Sequence, residues 1–292
     1  MLRDFGFGSK WPSTHATHIE RRHLRDLKSG KYVVCDKSDG VRCLLVLHSK
    51  ATFLTDRAYK AALLRTTSKP TPPGTILDGE LVIVKGGHKL FLAYDALVYR
   101  NENICDRPLE DRLYVATEAI NGLNLTFEDG VSLFLTVKKM VPVSEIEAFL
   151  EEMKSLPYPT DGIVLTPSTE PLQPGTSDRL LKWKDRVTVD FMVARGSERG
   201  TYDLHIKNNS GGMEHIVTLK NLRGLDSLQM QIFTESEQCI VECYYDRSKG
   251  TWRPLRLRAD KLHPNSMFVY KNSVKNIKED ITIDEICEQF RS

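Results

Sequence analysis

Short apolar runs, several of them alternating with polar positions, dominate the chain and predict strands more often than helices. In its first two thirds these runs are Tyr32–Asp36, Val41–His48, Thr75–Val84, Leu90–Tyr99, Leu133–Val141 and Gly162–Thr166. Helical signals are fewer. Thr17-His-Ile-Glu20 reads as a capping box opening a helix that ends near Gly30. Ser144-Glu-Ile-Glu147 reads as another, with Val143 and Ala148 as its hydrophobic staple. Pro108 stands like a first-turn proline for a helix reaching about Ile120 and closed by Gly122. Strands and helices do not alternate regularly, which predicts antiparallel sheets in an α+β domain and argues against a doubly wound parallel sheet.

From about Val187 the pattern changes. Val187–Ala194, Tyr202–Lys207, His215–Lys220, Met230–Thr234 and Ile240–Tyr245 are short strand-like runs, and a turn at Ser248-Lys249-Gly250 leads into Thr251–Arg258. Their even spacing predicts a small β-barrel, with the OB-fold as the leading form. Residues 271–280 read as a linker, after which Thr282-Ile-Asp-Glu285 caps a final short helix with Ile283, Ile286, Cys287 and Phe290 available for docking. The expected division is a first domain over residues 1–186, a barrel domain over 187–275, and a C-terminal helix at about 276–292 free to pack back on the first domain.

With 292 residues, 40% of them hydrophobic, the chain can bury a sizeable core and form two domains. No apolar run approaches the ~20 residues that cross a bilayer, and the N-terminus lacks the apolar stretch of a signal peptide, so a soluble, non-secreted protein is expected. The six cysteines, Cys35, Cys43, Cys105, Cys239, Cys243 and Cys287, are dispersed and read as buried free thiols in a reducing compartment. Cys239 and Cys243 have no second pair and no histidine at ligand spacing, which argues against a structural zinc. A formal charge of +2 excludes a polycation, yet the charges are segregated: residues 1–75 sum to +8, 76–178 to −9, 179–278 to +7 and 279–292 to −4. Two basic blocks flanking an acidic one suit a protein that holds a polyanion and also places carboxylates for a metal.

Candidate chemistry lies at the interruptions of the apolar runs. Lys37-Ser38-Asp39-Gly40-Val41-Arg42 sets a charged turn between two strands. A lysine so placed becomes a nucleophile when neighbouring positive charge and restricted solvation favour its neutral amine, and an arginine close by can hold a phosphate. On its own the hexapeptide reads first as an ordinary hairpin turn. It is followed, in order, by Leu77-Asp78-Gly79-Glu80-Leu81-Val82, Thr160-Asp161-Gly162-Ile163-Val164, Leu180-Leu181-Lys182-Trp183-Lys184 and the run from Trp252 to Lys261. Alternation along a strand puts Lys182 and Lys184 on one face, and Arg256 and Arg258 on another, followed by Asp260 and Lys261.

Together these segments resemble the guanylyltransferase of mRNA capping enzymes, within the covalent nucleotidyltransferase superfamily that includes ATP-dependent DNA and RNA ligases. The likeness runs from about residue 10 to residue 266. KSDGVR is similar to the nucleophile motif KxDGxR; LDGELV, AYDALVY, TDGIV, LLKWK and RLRADKLHPN are similar to the later motifs, the last favouring the capping branch. The resemblance implies that Lys37 attacks the α-phosphate of GTP and carries GMP to the 5′-diphosphate end of RNA, forming GpppN. It implies nucleotide contacts for Asp39, Arg42, Arg57 and Glu80, stacking of guanine on Tyr94, and reading of the purine edge by Lys138, with Lys139 as the runner-up. Asp161 would face Mg²⁺ or Mn²⁺, with Glu80 or Asp78 as a second carboxylate. Lys182 and Lys184 would meet the α-phosphate, and Arg256, Arg258 and Lys261 would serve the β,γ-phosphates, with Asp260 among the catalytic residues, after closure about a hinge near Asp185–Asp190.

Also implied are a nuclear location, a separate RNA triphosphatase acting beforehand, the phosphorylated tail of RNA polymerase II as a partner, and no membrane. Two other readings stay open at this point. One is an ATP-dependent ligase, told apart by which nucleotide labels Lys37; the other is a silent OB-containing RNA-binding module, which would bind RNA in a salt-sensitive way and form no adduct.

Overall fold

A computed structural model of the chain describes residues 7, 11–29, 31–66, 73–226, 230 and 238–291. The chain divides into two units, Met1–Lys184 with Thr282–Ser292, and Asp185–Ile281.

The first unit opens with β1 (Thr14–His18), helix α1 (Arg21–Ser29), β2 (Tyr32–Ser38), β3 (Val41–Leu47), β4 (Thr52–Asp56) and β5 (Ala61–Thr66). It continues through β6 (Thr75–Ile83), β7 (Lys89–Tyr99), β8 (Glu102–Asn103), helix α2 (Leu109–Ile120), β9 (Leu125–Phe127) and β10 (Ser132–Val137). Then come β11 (Val141–Pro142), helix α3 (Ile146–Met153), β12 (Thr160–Pro167) and β13 (Gly175–Lys184). One sheet has the order β1-β13-β12-β2-β11; the other runs β10-β9-β5-β4-β3-β6-β7-β8, and β10 also pairs with β7 and closes a barrel. Inside it, Leu45, Leu47, Leu77, Phe91, Ala93, Leu125 and Leu133 form one buried cluster with Val115, Ala116 and Ala119 of α2. Arg112 of α2 is buried because Asp95 meets its fork, Nε to Oδ1 at 2.6 Å and Nη2 to Oδ2 at 3.1 Å, just beyond Tyr94 on β7.

The second unit is a five-stranded antiparallel sheet of β14 (Thr188–Arg195), β15 (Tyr202–Lys207), β16 (Met213–Leu219), β17 (Gln238–Asp246) and β18 (Thr251–Leu257), in the order β16-β15-β14-β17-β18. This is the strand count and return order of an OB-type barrel, with no pairing between β16 and β18 among the described residues. Val189, Phe191, Val193, Leu204, Ile206, Val241 and Trp252 fill it. The α+β class with antiparallel sheets therefore stands, although two pairings, β1 with β13 and β10 with β7, are parallel.

Several local expectations give way. Thr17 does not cap a helix: it lies in β1 opposite Leu181, and α1 begins only at Arg21, after His23 Nδ1 accepts from the Glu20 N–H at 2.9 Å. Long-range pairing outweighs the local cap there. No side-chain cap forms at Ser144; a 3₁₀ turn, Val143–Glu145, precedes α3, and Ala148 is exposed while Ile146 and Phe149 are buried. The run Leu133–Val141 is two strands in different sheets, broken where Lys138 N–H bonds Ala93 C=O at 2.7 Å. Residues 271–280 are no linker but most of helix α4 (Met267–Glu279). Its apolar positions Met267, Tyr270, Val274 and Ile277 recur at helical spacing and pack on the barrel core, a stripe hidden in the sequence by the lysines and asparagines between them. The expected strand Met230–Thr234 lies outside the described residues apart from Met230. By contrast, the capping box at Thr282 forms, opening α5 (Ile283–Glu288), whose Ile286 and Cys287 are buried. The six cysteines are free thiols.

Candidate active site

Lys37 stands on β2, flanked by two residues whose side chains are buried, Asp36 and Ser38. Opposite it the ladder is irregular: Thr160 pairs with Ser38 and Ile163 with Asp36, so Asp161 and Gly162 bulge out of β12 against a single residue, Lys37. Gly162 has φ of +150°, and a Cβ there would fall 2.0 Å from the Trp183 carbonyl oxygen, so only glycine permits the bulge. The bulge aims Asp161 between two lysines, with Lys37 Nζ 2.7 Å from Oδ1 and Lys184 Nζ 2.7 Å from Oδ2. Burial pushes the Asp161 carboxyl up, but Lys184 and Lys37 outweigh it and hold it below the usual carboxylate range.

Lys182 points the same way from β13 and has no carboxylate partner among the described residues. Burial first, then Lys184 and Lys37, bring its ammonium down to about 8. The cluster thus carries three ammonium groups and one carboxylate between them.

A second group forms around β3, β6 and β7. The Arg42 guanidinium grips Asp78 through Nε at 3.1 Å and Nη2 at 2.5 Å, and also donates to Ser13 Oγ and the Thr14 carbonyl, each at 2.9 Å. Tyr94 is the extra residue of a bulge on β7, where Asp78 pairs with Asp95 and Gly79 with Ala93; its hydroxyl donates to Asp78 Oδ1 at 3.1 Å. Burial, then Asp78, raise the Tyr94 phenol. Arg42 and Lys138 lie on the Tyr94 ring, each 5.7 Å from its centroid. Lys138 is buried, with Nζ donating to Asp36 C=O at 2.9 Å and Ser38 Oγ at 2.7 Å, whereas Lys139 is exposed and paired with Glu152. Of the two lysines, Lys138 is therefore the one that faces the site. Glu80 has no hydrogen-bond or ion-pair partner among the described residues, and burial pushes its carboxyl up to about 7 against the pull of Lys138, Lys37 and Arg42. Asp39 and Arg57 are exposed, the first at the β2–β3 turn, the second close enough to Lys182 and His15 to depress both. Gly40 follows Asp39 because β6 passes so near that a Cβ would lie 2.4 Å from the Leu81 carbonyl oxygen.

Sequence reasoning passed over two histidines and an aspartate. A register shift between Ala16 and Thr17 interrupts β1, and His18 then pairs with Lys182. Burial, then Lys182, Lys184 and Lys37, hold the His18 ring neutral, with its pKa down at about 3. His15 Nδ1 lies 3.3 Å from Arg42 Nη1, and burial followed by Arg42 lowers it too. Asp36, buried beside the Lys138 ammonium at 3.3 Å, completes the wall. Two histidines three apart in a strand with no apolar partner pattern were the available signal for the first two.

In the second unit the predicted cations form a network of their own. Asp190 and Glu242 are direct cross-strand partners on β14 and β17, a like-charge pair that needs bridging. Arg258 supplies the bridge, at 3.2 Å from Asp190 and 3.6 Å from Glu242. Lys261 also pairs with Asp190, Arg256 with Glu242 at 2.7 Å, and Asp260 with Arg258 at 2.8 Å.

The donors also test the expected metal. Among the described residues no three His, Cys, Asp or Glu side chains converge on one point. Asp78 cannot serve, since Arg42 and Tyr94 occupy both its oxygens. Asp161 meets one flexible lysine on each oxygen, unlike the arginine fork that grips Asp78, and Glu80 has no hydrogen-bond or ion-pair partner among the described residues, so these two carboxylates fit a hard cation that takes its other ligands from water and a substrate phosphate.

A lysine in a bulged ladder, with further lysines and one carboxylate around it, on two sheets followed by a five-stranded barrel, defines a nucleotidyltransferase. The fold is similar to that of a solved structure of mycobacterial DNA ligase D complexed with ATP and MES, with a TM-score of 0.52, 16% identity, and coverage of 86% of this chain and 95% of that one. The family pattern of the mRNA capping enzyme catalytic domain matches residues 5–186, and that of the mRNA capping enzyme C-terminal domain matches residues 167–287. The chain belongs to the mRNA capping enzyme family. It is 26% identical to the mRNA-capping enzyme subunit alpha of Schizosaccharomyces pombe, over 96% of this chain and 80% of that protein, and 26% identical to its namesake from Yarrowia lipolytica, over 93% and 80%. Membership implies a nucleotide substrate and the use of a divalent metal. No helix among the described residues is long and apolar enough to cross a membrane.

Proposed function

We propose that the enzyme transfers GMP from GTP to the 5′-diphosphate end of RNA through a covalent Lys37–GMP intermediate. The observation that carries this reading is the bulge that sets Asp161 against Lys37 and Lys184, with Lys182 beside them paired with no carboxylate among the described residues. The Lys37 ammonium gives up a proton to solvent, its neutral Nζ attacks the α-phosphorus, a P–N bond forms, and the bond to pyrophosphate breaks. A terminal oxygen of the RNA diphosphate then attacks the same phosphorus and releases the lysine amine. The excess ammonium charge of Lys182 and Lys184 meets the α-phosphate, where it is fixed in place before charge develops. Tyr94 lies against the base, and Lys138, next to Ser38, reads its edge. Arg42, with its donors committed to Asp78, Ser13 and Thr14, fixes the floor beneath the base, while exposed Arg57 and Asp39 stand at the rim for ribose and phosphate. Asp161 and Glu80 would hold Mg²⁺ or Mn²⁺, which when bound neutralises phosphate charge. Arg256, Arg258 and Lys261, oriented by Asp190, Glu242 and Asp260, act on the β,γ-phosphates. The product belongs to mRNA processing, and the reading places the enzyme in the nucleus.

Incubation with labelled GTP and Mg²⁺ yields a protein–GMP adduct, and Lys37→Ala yields none. Labelling of Lys37→Ala, or labelling of the unsubstituted protein by ATP in place of GTP, would sink the assignment.

A further inference from the structure

The turn between β4 and β5 carries an exposed aromatic side chain, Tyr59. Asp56 Oδ1 accepts from the Ala58 and Lys60 N–H groups, each at 2.9 Å, while Tyr59 N–H donates to the Asp56 carbonyl at 2.9 Å and Asp56 N–H to the Lys60 carbonyl at 3.1 Å. The turn is thereby fixed with Tyr59 at φ of +59°, a left-handed conformation that favours glycine or asparagine and disfavours an aromatic residue. Yet Tyr59 is 44% exposed. A left-handed backbone that nonetheless carries an aromatic ring, packed on Trp11 on one side and open to solvent over part of its surface, leaves that open part able to meet a ligand.

Its surroundings say which use. The Tyr59 ring lies 6.0 Å from buried Trp11, the Arg42 guanidinium 5.9 Å from Trp11 and 5.7 Å from Tyr94. Tyr59, Trp11, Arg42 and Tyr94 thus form an unbroken series of flat groups from solvent to the ring assigned to the guanine. Arg57 and Lys60, on either side of Tyr59, are exposed cations, and the charge of Arg57 reaches Lys182, so the turn borders the lysine cluster. An exposed aromatic between two cations, continuous with a nucleotide site whose inner end is taken by the first substrate, matches the end of a single strand: a base stacks on the ring and phosphates meet the cations.

We propose that the Asp56–Lys60 turn is the acceptor site, on which the 5′-terminal nucleoside of the RNA stacks against Tyr59 while Lys60 holds its phosphates; this rests on the guanylyl-transfer reading above. Stacking uses the π-face that every base has, so the site accepts any first base.

The test separates the two half-reactions. Single-turnover transfer from preformed Lys37–GMP to a 5′-diphosphate RNA is measured against RNA concentration, beside adduct formation from GTP. Tyr59→Ala forms adduct within about twofold of the unsubstituted rate but needs about tenfold more RNA for half-maximal transfer, in line with the loss of one base–aromatic stack. Tyr59→Phe keeps the unsubstituted RNA dependence. Lys60→Glu weakens RNA use at low salt, and the deficit narrows as salt rises. Unaltered RNA dependence in Tyr59→Ala overturns the proposal, as does an equal loss in adduct formation, which would make Tyr59 a structural residue. Should Tyr59→Ala fail to fold, an unaltered RNA dependence in Lys60→Glu overturns it instead. Absence of any adduct in the unsubstituted protein would strike the underlying reading, not the acceptor site.

Discussion

The two units hold cations in opposite ways. In the first, Lys37 and Lys184 share one carboxylate, Asp161, and Lys182 beside them pairs with none among the described residues. In the second, Arg256, Arg258 and Lys261 meet three, Asp190, Glu242 and Asp260. The first arrangement holds more ammonium than carboxylate charge, which adds to the larger effect of burial in lowering Lys182, and it becomes favourable when a polyanion arrives. The second is neutral by itself, so its cations can serve a phosphate only by exchanging or sharing partners they already have. Under the proposed guanylyl transfer, a fixed excess of charge would suit the reacting phosphorus, and exchangeable charge would suit a leaving group.

Activity should feel this difference most. Lys182→Met or Lys184→Met is expected to slow adduct formation about 10²–10³-fold, the loss typical of a fixed group that stabilises a developing charge. Rapid-quench measurement with labelled GTP checks it, and near-normal rates in both variants would mean that the charge excess is incidental.

Stability gives the next largest contrast, and it has opposite signs. Asp190→Asn leaves Arg258 and Lys261 with too little countercharge on a buried wall, and should cost about 2–3 kcal/mol, below the full cost of breaking a wholly buried pair because both cations are partly exposed. Lys182→Met removes a charge that its neighbours oppose, and should add about 1 kcal/mol at pH 7. Urea unfolding of the two variants reads both values. Destabilisation by Lys182→Met would show that the lysine cluster is balanced after all, and would remove the contrast.

How much of this was legible in the sequence follows from which interactions are local. Lys37, Asp161, Lys182 and Lys184 stood out as charges interrupting apolar strands, and the barrel stood out from spacing, because alternation is written in the strands themselves. Lys138 could not be separated from Lys139 in the sequence; burial separates them, since only Lys138 reaches Asp36 and Ser38. His18 stayed hidden because a plausible local capping box at Thr17 masked a strand whose partner, β13, lies more than 150 residues on, at Gly175–Lys184. The bulges that aim Asp161 and Tyr94 depend on how two strands are registered, which one strand alone does not state. Helix α4 was taken for a linker because its exposed face is the more charged and its apolar stripe has meaning only against the barrel.

Glu80 offers the finest test, because it sits at the border of the charge excess without joining it. Its carboxyl is pushed up to about 7 by burial, despite three cations that pull it down. The unfolded chain loses this proton near 4.5 and the folded protein near 7, so between those values the folded state holds more protons, and stability must fall as pH rises through that window. Above about 7 the loss is complete, and a divalent cation on Glu80 and Asp161 would restore part of it. Glu80→Gln should therefore be more stable than the unsubstituted protein by about 1 kcal/mol at pH 8 and equal to it at pH 4.5, a difference that Mg²⁺ narrows. Thermal melts at the two pH values, with and without Mg²⁺, measure this. A gap that Mg²⁺ leaves unchanged would take Glu80 out of the metal site and leave Asp161 as the carboxylate there.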